Sequence, residues 1–355
     1  MRLFLRDLLL VAILKARAGA PYLTPAKVLN AARCELHKRR RLCRPDSYPY
    51  IAIVDAVNTC NLHCLYCPTG LRRSSGRSKR IIDPSLVAKL IDEAGRHLIA
   101  AHLYNWGEPL LHPRINTIVG AFHSRGIATF ISTNLSVNNG AVLDTLCDAG
   151  LDYLTVSLSG ATQEVYARYH RGGKLDRVVA NTRRLVDYKR RHRLRRPFIE
   201  WKYLVFRHNL HEVNSARKLA SATGVDLFRA VRAGGPDQAV VPTGEVSERK
   251  LRAGYCPQLW HALVVNSDGG IAPCCYLFFK EDDFVELCDG SIAEIRRNDP
   301  FVTGRKLFNP SCVAELPADI RHPCLECDLV HSQPHLSDYL SANPHAVQDH
   351  RTGGP

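Results

Sequence analysis

Three cysteines stand close together in the segment Cys60-Asn-Leu-His-Cys64-Leu-Tyr-Cys67. The spacing C-x3-C-x2-C places three thiols on one short loop. A structural zinc site takes four protein ligands, so zinc here would need a fourth residue such as His63. A cubane iron–sulfur cluster normally takes four cysteines, and three would leave one iron open. Because an open metal position is where a cofactor or substrate binds, the spacing predicts a reactive cluster, with a zinc loop as the alternative.

A second group of cysteines lies in the last third of the chain. The segment His261 to Ile271 reads as a β-hairpin with Asp268-Gly269 at its turn. A hairpin there returns the chain to the region where it began. The group consists of Cys256, Cys274, Cys324 and Cys327. Four thiols that include a C-x2-C pair suit a fully ligated iron–sulfur cluster, and they also suit zinc.

Between residue 50 and about 231, β-rich segments alternate with helical ones. The pattern predicts six strands, at Ile51–Val57, Ala100–Trp106, Ile127–Thr133, Asp152–Ser159, Ile199–Phe206 and Val225–Val231. Helices are expected between them, among them an amphipathic one at Pro84–Leu98. Six β/α repeats predict a parallel sheet closed partway into a barrel. Such sheets carry their sites at the carboxyl ends of the strands, and the first cysteine loop follows the first strand.

Polar residues close several of the predicted strands. Ser132, Asn134 and Ser157 have small side chains that suit a ribose and a carboxylate. Lys202, on the fifth strand, is a candidate for substrate binding. The second strand ends at Trp106-Gly107-Glu108-Pro109, where a carboxylate and exposed carbonyls can accept hydrogen bonds from an ammonium group.

The first cysteine motif closely resembles that of the radical S-adenosylmethionine (SAM) superfamily, whose fold is a partial (β/α)6 barrel. The resemblance implies a [4Fe–4S] cluster on Cys60, Cys64 and Cys67 whose open iron binds SAM. The reduced cluster then cleaves SAM into methionine and a 5'-deoxyadenosyl radical, which abstracts hydrogen from carbon. An aromatic residue before the third cysteine is usual in the family, and Tyr66 stands there.

Further SAM contacts are implied by the same resemblance. Trp106, Gly107 and Glu108 resemble the family's Gly-Gly-Glu-Pro motif, which bonds the SAM amino group, with Trp106 in place of the first glycine. Arg171 resembles the arginine that pairs with the SAM carboxylate through its planar fork. Arg168 is the rival for that role.

The second cysteine set resembles the "twitch" domain, a shortened SPASM domain. The resemblance implies one auxiliary [4Fe–4S] cluster held by that set, so the expected cofactors are SAM and two [4Fe–4S] clusters. The expected fold class is α/β: a partial (β/α)6 TIM-like barrel with a small C-terminal iron–sulfur (twitch) domain. The expected division is an N-terminal helical extension (1–48), the radical SAM barrel (49–233), the auxiliary-cluster domain (234–331, starting with a linker) and a mobile tail (332–355).

Six cysteines remain outside the two sets. Cys147 is expected to be a buried small hydrophobe on a helix end. Cys275, Cys288 and Cys312 are candidates for a thiol that donates a hydrogen atom to a substrate radical, although an inert role is the simpler interpretation of each.

Composition limits the remaining classes. The chain has 355 residues, thirteen cysteines and a formal charge of +14. A secreted disulfide scaffold is typically much shorter, so a cytoplasmic metalloprotein is expected. The basic runs lack interleaved aromatics, so nucleic acid is not an expected partner. The apolar run Leu8–Leu14 is too short to span a bilayer and predicts a helix packed on the body, with a peripheral membrane anchor as the alternative.

The most specific functional expectation is hydrogen abstraction from a sugar-containing small molecule. About 50 residues precede the first strand, fewer than a cobalamin-binding or leader-peptide-binding domain needs, which favours a small substrate. The second set resembles that of sugar epimerases and aminocyclitol dehydrogenases of antibiotic biosynthesis, and epimerisation is the leading hypothesis. Alternatives are dehydrogenation of an alcohol, peptide modification, and a basic iron–sulfur protein that binds RNA or transfers electrons. A ferredoxin- or flavodoxin-type reductant is the expected partner, and the oligomeric state is not predicted.

Overall fold

A computed structural model of the chain describes residues 2–233, 256–317 and 320–342, without the side chains of residues 2–9, 338 and 342. The expected linker, Gly234 to Arg249, lies outside these residues. The strands are β1 (Ile51–Val54), β2 (Ala100–His102), β3 (Ala128–Thr133), β4 (Tyr153–Leu158), β5 (Phe198–Val205), β6 (Leu227–Arg232), β7 (Ala262–Val265), β8 (Gly270–Ala272) and β9 (Val285–Glu286).

Helices alternate with the first six strands and then form most of the C-terminal part. They are α1 (Arg2–Gly19), α2 (Pro25–Arg39), α3 (Pro84–Ala94), α4 (Ile115–Ser124), α5 (Ala141–Asp148), α6 (Gln163–Tyr169), α7 (Leu175–Arg191), α8 (Val213–Thr223), α9 (Gln258–His261), α10 (Ile292–Ile295), α11 (Asp299–Lys306), α12 (Asp328–His331) and α13 (Ser337–Ala342). Among these described helices, none is long and apolar enough to cross a membrane.

The strands form one sheet with the order β6-β5-β4-β3-β2-β1-β7-β8-β9. Strands β1 to β6 pair in parallel with their neighbours. The predicted partial barrel is therefore confirmed. The expected hairpin is also present as the antiparallel pair β7–β8, with Gly269 in the left-handed region at φ +97°.

The hairpin is not a separate layer, because β7 pairs in parallel with β1 from Ile51↔Ala262 to Val54↔Val265. Strand β1 thus has a partner on both sides, β2 and β7. The region that carries the second cysteine set continues the barrel's own sheet, an arrangement that the sequence did not predict.

Strand β5 shows how the barrel wall separates its two faces. Trp201 and Tyr203 are fully buried and belong to the large apolar core under the helices. Because side chains alternate along a strand, Glu200 and Lys202 face the barrel interior. The interior is thus lined in part by charged groups, whereas the outer face is apolar.

The helices between the strands begin at residues that favour a helix start, as α3 shows. Helix α3 starts after Asp83, whose carboxylate accepts a hydrogen bond from Ser85 N, and Pro84 occupies its first position. Its buried face is Val87, Leu90, Ile91 and Ala94. The predicted helix continued to Leu98, but the observed one ends at Ala94.

The N-terminal helix packs against the amino-terminal end of the barrel. Ala18 is buried among Ala100, Ala128 and Tyr153, which lie at the starts of their strands. The Lys15 ammonium lies 5.6 Å from the centre of the Tyr153 ring. Helix α1 therefore covers the opening opposite the first cysteine loop.

The beginning of the expected mobile tail is ordered against the body. Leu336 is fully buried and Gln333 nearly so, and the Gln333 side chain donates to the Leu329 carbonyl at 2.8 Å. The first part of the expected tail, as far as residue 342, thus packs against the body, and the mobility expected from residue 332 stays a prediction. The apolar side chain of Leu336 explains this packing, and residues 343–355 lie outside the described part of the chain.

Candidate active site

The first cysteine loop leaves β1 and is fixed to the segment that follows α6. His63 N donates to the Arg171 carbonyl at 2.9 Å, and Leu65 N donates to the Tyr169 carbonyl at 3.3 Å. Leu62 anchors the loop as a buried side chain. A side chain on Gly70 would place its Cβ 2.5 Å from the Cys64 carbonyl oxygen, so the loop closes tightly on itself.

The three loop thiols lie in one partly buried cluster and influence one another. Burial, together with the nearby Glu108 and Cys67, raises the pKa of Cys60 to about 11. Burial also raises the pKa of Cys64, with added repulsion from Cys60 and Cys67. Thiols in this setting become thiolates readily only when a cationic centre compensates them. The donor set therefore fits an iron–sulfur cluster.

His63, the fourth ligand that a zinc site would need, is turned elsewhere. Its Nε2 lies 3.2 Å from Nη2 of Arg72. In the described part of the chain, no three His, Cys, Asp or Glu side chains converge on a point that could hold a single ion. A four-iron cluster differs in this respect, because its ligands attach to separate irons.

The loop Trp106-Gly107-Glu108-Pro109 is pressed against the cysteine loop. Glu108 N donates to the Thr59 carbonyl at 2.9 Å. A Cβ on Gly107 would lie 1.7 Å from the Val57 carbonyl oxygen, so no other residue fits without a backbone shift. This contact fixes the loop's backbone carbonyls close to the cluster motif.

Both oxygens of the Glu108 carboxylate accept hydrogen bonds from other groups of the protein. Its Oε1 accepts hydrogen bonds from Thr133 Oγ1 at 2.6 Å and Leu110 N at 3.1 Å, and its Oε2 accepts one from Asn134 N at 2.8 Å. Burial raises the pKa of Glu108, and these bonds oppose that rise. The Glu108 side chain thus joins the ends of β2 and β3, which leaves the loop's backbone carbonyls as the acceptors for an ammonium group.

Asp55 holds the backbone of the loop Trp106–Pro109 by hydrogen bonds and was not predicted from the sequence. It follows β1, is 1% exposed, and its Oδ1 accepts hydrogen bonds from Trp106 N at 3.1 Å and Gly107 N at 3.4 Å. Burial raises its pKa to about 7, with these bonds and Arg77 opposing the rise. The available signal was a carboxylate at the end of an otherwise apolar strand.

Asn134 lies directly against the first cysteine set. Its Nδ2 is 3.6 Å from Cys60 Sγ and 3.0 Å from Asn61 Oδ1, and its Oδ1 accepts a hydrogen bond from Ser136 N at 2.7 Å. Ser132 is partly accessible between buried neighbours on β3. Both predicted residues therefore lie on the carboxyl-terminal rim that holds the cysteine loop.

Ser157 and Lys202 are in register on β4 and β5, and Arg229 of β6 extends the row. Each is partly accessible between buried neighbours. Arg229 Nε is 2.5 Å from Glu200 Oε1, which anchors its guanidinium beneath the rim. Arg229 was not singled out from the sequence, where its position between the apolar Phe228 and Ala230 was the available signal.

The two arginine candidates have different surroundings. Arg168 pairs with Glu164 at 3.1 Å on the exposed side of α6. Arg171 is exposed, and its backbone is bonded to the cysteine loop through the His63 N–H. Arg171 thus lies next to the first cysteine loop, and its pairing with a SAM carboxylate stays a prediction. Tyr66, which has φ +64°, is 41% exposed on the same loop.

The four thiols of the second cysteine set are neighbours in the structure. The Cys324 thiol interacts electrostatically with Cys274, Cys256 and Cys327, and burial raises its pKa. Burial raises the pKa of Cys256 to about 11 and that of Cys274 to about 12. Four neighbouring, partly buried thiols fit a four-iron cluster, whose ligands attach to separate irons.

One segment links the two cysteine sets. It runs from Cys275 to Phe279, and the Trp106 Nε1–H donates to the Leu277 carbonyl at 3.0 Å. Trp106 also packs edge-on against Phe278, with 5.2 Å between ring centres. Trp106, at the position where the family motif has glycine, thus connects the two sets.

Arg77 holds the far end of this segment. Its guanidinium forms buried ion pairs with Asp268 at 3.2 Å and Asp283 at 2.5 Å, and it donates to the Phe279 carbonyl at 3.2 Å. A buried guanidinium with two carboxylate partners is strongly tied to its position, because breaking such a pair leaves an uncompensated charge.

The three hydrogen-donor candidates lie in different parts of the structure. The Cys275 thiol lies beside Cys256 and Cys274 of the second set: Gln258 Nε2 donates to its Sγ at 3.4 Å, and its carbonyl oxygen is 3.2 Å from the side-chain amide of Asn105. Cys288 is exposed, beside helix α10, whose Ile292 N donates to Glu93 Oε2 on the outer helix α3. An outer-face thiol cannot reach a radical inside the barrel, so Cys288 is a poor candidate.

Cys312 lies at the end of the barrel where the strands begin. Its Sγ lies 3.6 Å from that of Cys43. The neighbouring Leu42 carbonyl accepts a hydrogen bond from Trp260 Nε1, and Trp260 precedes the first residue of β7. Because β7 is parallel to β1, the start of β7 lies at the opposite end of the barrel from the Cys60 loop, which follows β1. Cys312 is therefore a poor candidate for a hydrogen donor.

Comparisons with known proteins agree with this geometry. The family model of the radical SAM superfamily matches residues 55–195, and that of the SPASM iron–sulfur cluster-binding domain matches residues 256–328. The GTP 3',8-cyclase of Chlorobaculum tepidum is 31% identical over 41% of this chain and 43% of its own length. The PqqA peptide cyclase of Ruegeria pomeroyi is 30% identical over 35% of this chain and 33% of its own length. The chain thus spans less than half the length of these two relatives.

Solved structures share the fold. Streptococcus suis SuiB bound to S-adenosylmethionine is 12% identical, with a TM-score of 0.59 over 85% of this chain and 76% of that one. The enzyme anSMEcpe with bound AdoMet is 13% identical, with a TM-score of 0.57 over 84% of this chain and 96% of that one. At these identities the likeness concerns the fold.

Proposed function

The chain is a radical SAM protein with a SPASM iron–sulfur cluster-binding domain, and from this premise we propose that it epimerises a carbon of a sugar-containing small molecule. Its cofactors are SAM and two [4Fe–4S] clusters. When bound, SAM and the first cluster supply a 5'-deoxyadenosyl radical, which takes a hydrogen atom from carbon. The remaining steps concern the chain's own residues.

The position of Cys275 supports this proposal. Its thiol accepts a hydrogen bond from Gln258, and its backbone contacts Asn105 beside Trp106 in the wall of the SAM site. Transfer of the thiol hydrogen atom to the opposite face of a substrate radical completes an inversion and leaves a thiyl radical on Cys275. One electron and one proton then restore the thiol, and a ferredoxin- or flavodoxin-type reductant is the proposed source of the electron.

The rim can position a polar substrate. Ser157, Lys202 and Arg229 form a row across three adjacent strands, with Glu200 fixing Arg229. Hydroxyl, ammonium and guanidinium groups suit the hydroxyl and anionic groups of a glycoside. In this proposal they orient the sugar, while Asp55 and Glu108 hold the loop that binds the SAM amino group.

Two other reactions are distinguished by the product. Dehydrogenation of an alcohol needs no thiol donor and lowers the product mass by two units, whereas inversion leaves it unchanged. Peptide modification is the second candidate, supported by the similarity to the PqqA peptide cyclase over about a third of the chain.

The test is anaerobic incubation of the reconstituted, reduced protein with SAM and candidate glycosides in deuterated water. Epimerisation predicts 5'-deoxyadenosine and one solvent deuterium at the inverted carbon. A product without solvent label rules out Cys275 as the donor. The Cys275→Ala variant is expected to form 5'-deoxyadenosine without epimer, and Cys288→Ala, on the outer face, serves as the matched control.

A further inference from the structure

Helix α2 has its polarity reversed relative to an ordinary surface helix. The side chains on its buried face are Lys27, Asn30, Cys34 and Lys38. Its exposed face carries Val28, Leu29 and Leu36, which are 52%, 64% and 43% exposed. A surface helix normally buries its apolar stripe and exposes its polar one. The exposed face of α2 is therefore suited to an environment other than water.

The buried polar groups are specifically satisfied, so the reversal is not a matter of poor packing. Asn30 exchanges two hydrogen bonds with the Tyr48 backbone, both at 3.0 Å. Cys34 Sγ donates to the Tyr48 carbonyl at 2.8 Å, and Lys27 Nζ donates to the Gly126 carbonyl at 2.5 Å. These contacts fix the rotation of the helix about its axis and hold the leucine face outward.

The exposed apolar side chains are concentrated in this part of the molecule. Among the described residues, more than half of the exposed large hydrophobic side chains lie between residues 13 and 42: Ile13, Leu23, Val28, Leu29, Leu36 and Leu42. Single exposed apolar residues need no explanation, but Val28, Leu29 and Leu36 share one face of α2, and an apolar patch of this kind marks a binding surface.

Basic residues surround the same helix. Arg33, Arg39 and Arg40 are exposed on α2 and at its end, and the Arg44 side chain is 61% exposed. Acidic partners near the helix are Asp46, which pairs with Arg33 at 2.5 Å, Glu35, which pairs with Lys38, and Asp299, which pairs with Arg44 at 3.7 Å. An apolar face with an arginine-rich border complements a surface that is both apolar and anionic.

We propose that the exposed face of α2, with its arginine border, docks the protein onto an anionic lipid surface. The leucine and valine side chains enter the boundary between headgroups and acyl chains, while Arg39 and Arg40 contact lipid phosphates. The inference concerns a surface away from the cysteine sets and does not depend on the reaction proposed above.

Flotation of the cluster-loaded full-length protein with vesicles tests this surface. Vesicles of equal parts phosphatidylcholine and phosphatidylglycerol are expected to bind the protein, and pure phosphatidylcholine vesicles to bind it at least tenfold less. Leu29→Glu is expected to weaken binding by at least about tenfold. Arg39→Glu and Arg40→Glu are each expected to weaken it by about fivefold or more at low salt, with a smaller difference at high salt.

Matched controls lie elsewhere on the surface. Arg190→Glu, on α7, alters an arginine that is 74% exposed, and Ile81→Glu alters an apolar residue that is 42% exposed. Both are expected to bind vesicles like the unaltered protein. Equal binding to both vesicle types, no binding, or equal losses in the controls overturns the proposal. A change from dimer to monomer in Leu29→Glu, without vesicle binding by the parent protein, overturns it in favour of a second copy of the chain.

Discussion

The Trp106 indole donates a hydrogen bond to the Leu277 carbonyl at 3.0 Å, which joins the loop Trp106–Pro109 to the segment that directly follows Cys274. The contact spans two regions that are 171 positions apart in the sequence. Through this hydrogen bond, a movement of the segment near the second cysteine set can displace the loop beside the first.

Trp106→Phe removes this hydrogen bond while keeping an aromatic ring against Phe278. We expect cluster content and folding to be retained, because a single hydrogen bond contributes about 1 kcal/mol. Substrate turnover is expected to fall about fivefold, with more 5'-deoxyadenosine formed per product, because the wall of the site is less well fixed. Trp106→Leu should show a larger effect. If both variants form the same amount of 5'-deoxyadenosine per product as the unaltered protein, the contact between Trp106 and Leu277 does not influence the reaction.

Gly107→Ala tests the contact between the SAM loop and the cysteine loop. A Cβ there would lie 1.7 Å from the Val57 carbonyl oxygen, so the loop must move. We expect SAM affinity to fall by about 100-fold or more, while iron content stays near that of the unaltered protein. Calorimetric titration of SAM and iron analysis measure the two quantities.

The matched control is Gly120→Ala in α4, where a Cβ has nothing within 4 Å. That variant is expected to gain about 0.5–1 kcal/mol in stability, because alanine favours a helix interior. Its SAM affinity should be unchanged. Equal loss of SAM affinity in both glycine variants means that the Val57 contact is not the cause.

Asp55 predicts a particular pH dependence of stability. Its folded pKa of about 7 is above the ordinary value of 3.8, so between these values the folded state binds more protons than the unfolded state. Stability contributed by this group therefore falls as pH rises from about 4 to about 7, and then levels off. Asp55→Asn keeps an oxygen that can accept from Trp106 N and Gly107 N but has no charge to bury.

Urea unfolding at a series of pH values measures this dependence of the free energy of unfolding. The stability of Asp55→Asn relative to the parent protein is expected to increase from pH 4 to 7, by a few kcal/mol at most. Constant relative stability over that range contradicts the buried-carboxylate interpretation. Asp92→Asn, which alters an exposed carboxylate on α3, is the control and should show no such trend.

The two cysteine sets should be separable. Replacing Cys60, Cys64 and Cys67 with alanine is expected to leave a folded protein without SAM cleavage, because strands and helices build the barrel. Replacing Cys324 and Cys327 should loosen the C-terminal region, where several short helices depend on their surroundings. Iron should fall from about eight to about four per chain in both cases. An unaltered chain that binds only four irons after full reconstitution contradicts the second cluster.

The sequence predicts the parts of this molecule whose signals are local. The strand pattern around Ile131 or Val156, the spacing of Cys60, Cys64 and Cys67, and the turn at Gly269 are each readable within a few residues. The pairing of β7 with β1 depends instead on contacts between distant segments, as do the convergence of Asp55 on Trp106 and the approach of Cys312 to Cys43. The reversed polarity of α2 was missed because the buried face is selected by partners such as Tyr48 rather than by hydrophobicity.

The parallel pairing of β7 with β1 has a consequence for synthesis of the chain. Ile51 leaves the ribosome about two hundred residues before its partner Ala262. Until then one side of β1 remains an unpaired strand edge, a template for pairing with another nascent chain. Long-range parallel pairing is also slow to form. The sheet is therefore completed late in synthesis, when the region with the second cysteine set pairs with the strand that the first part of the chain began.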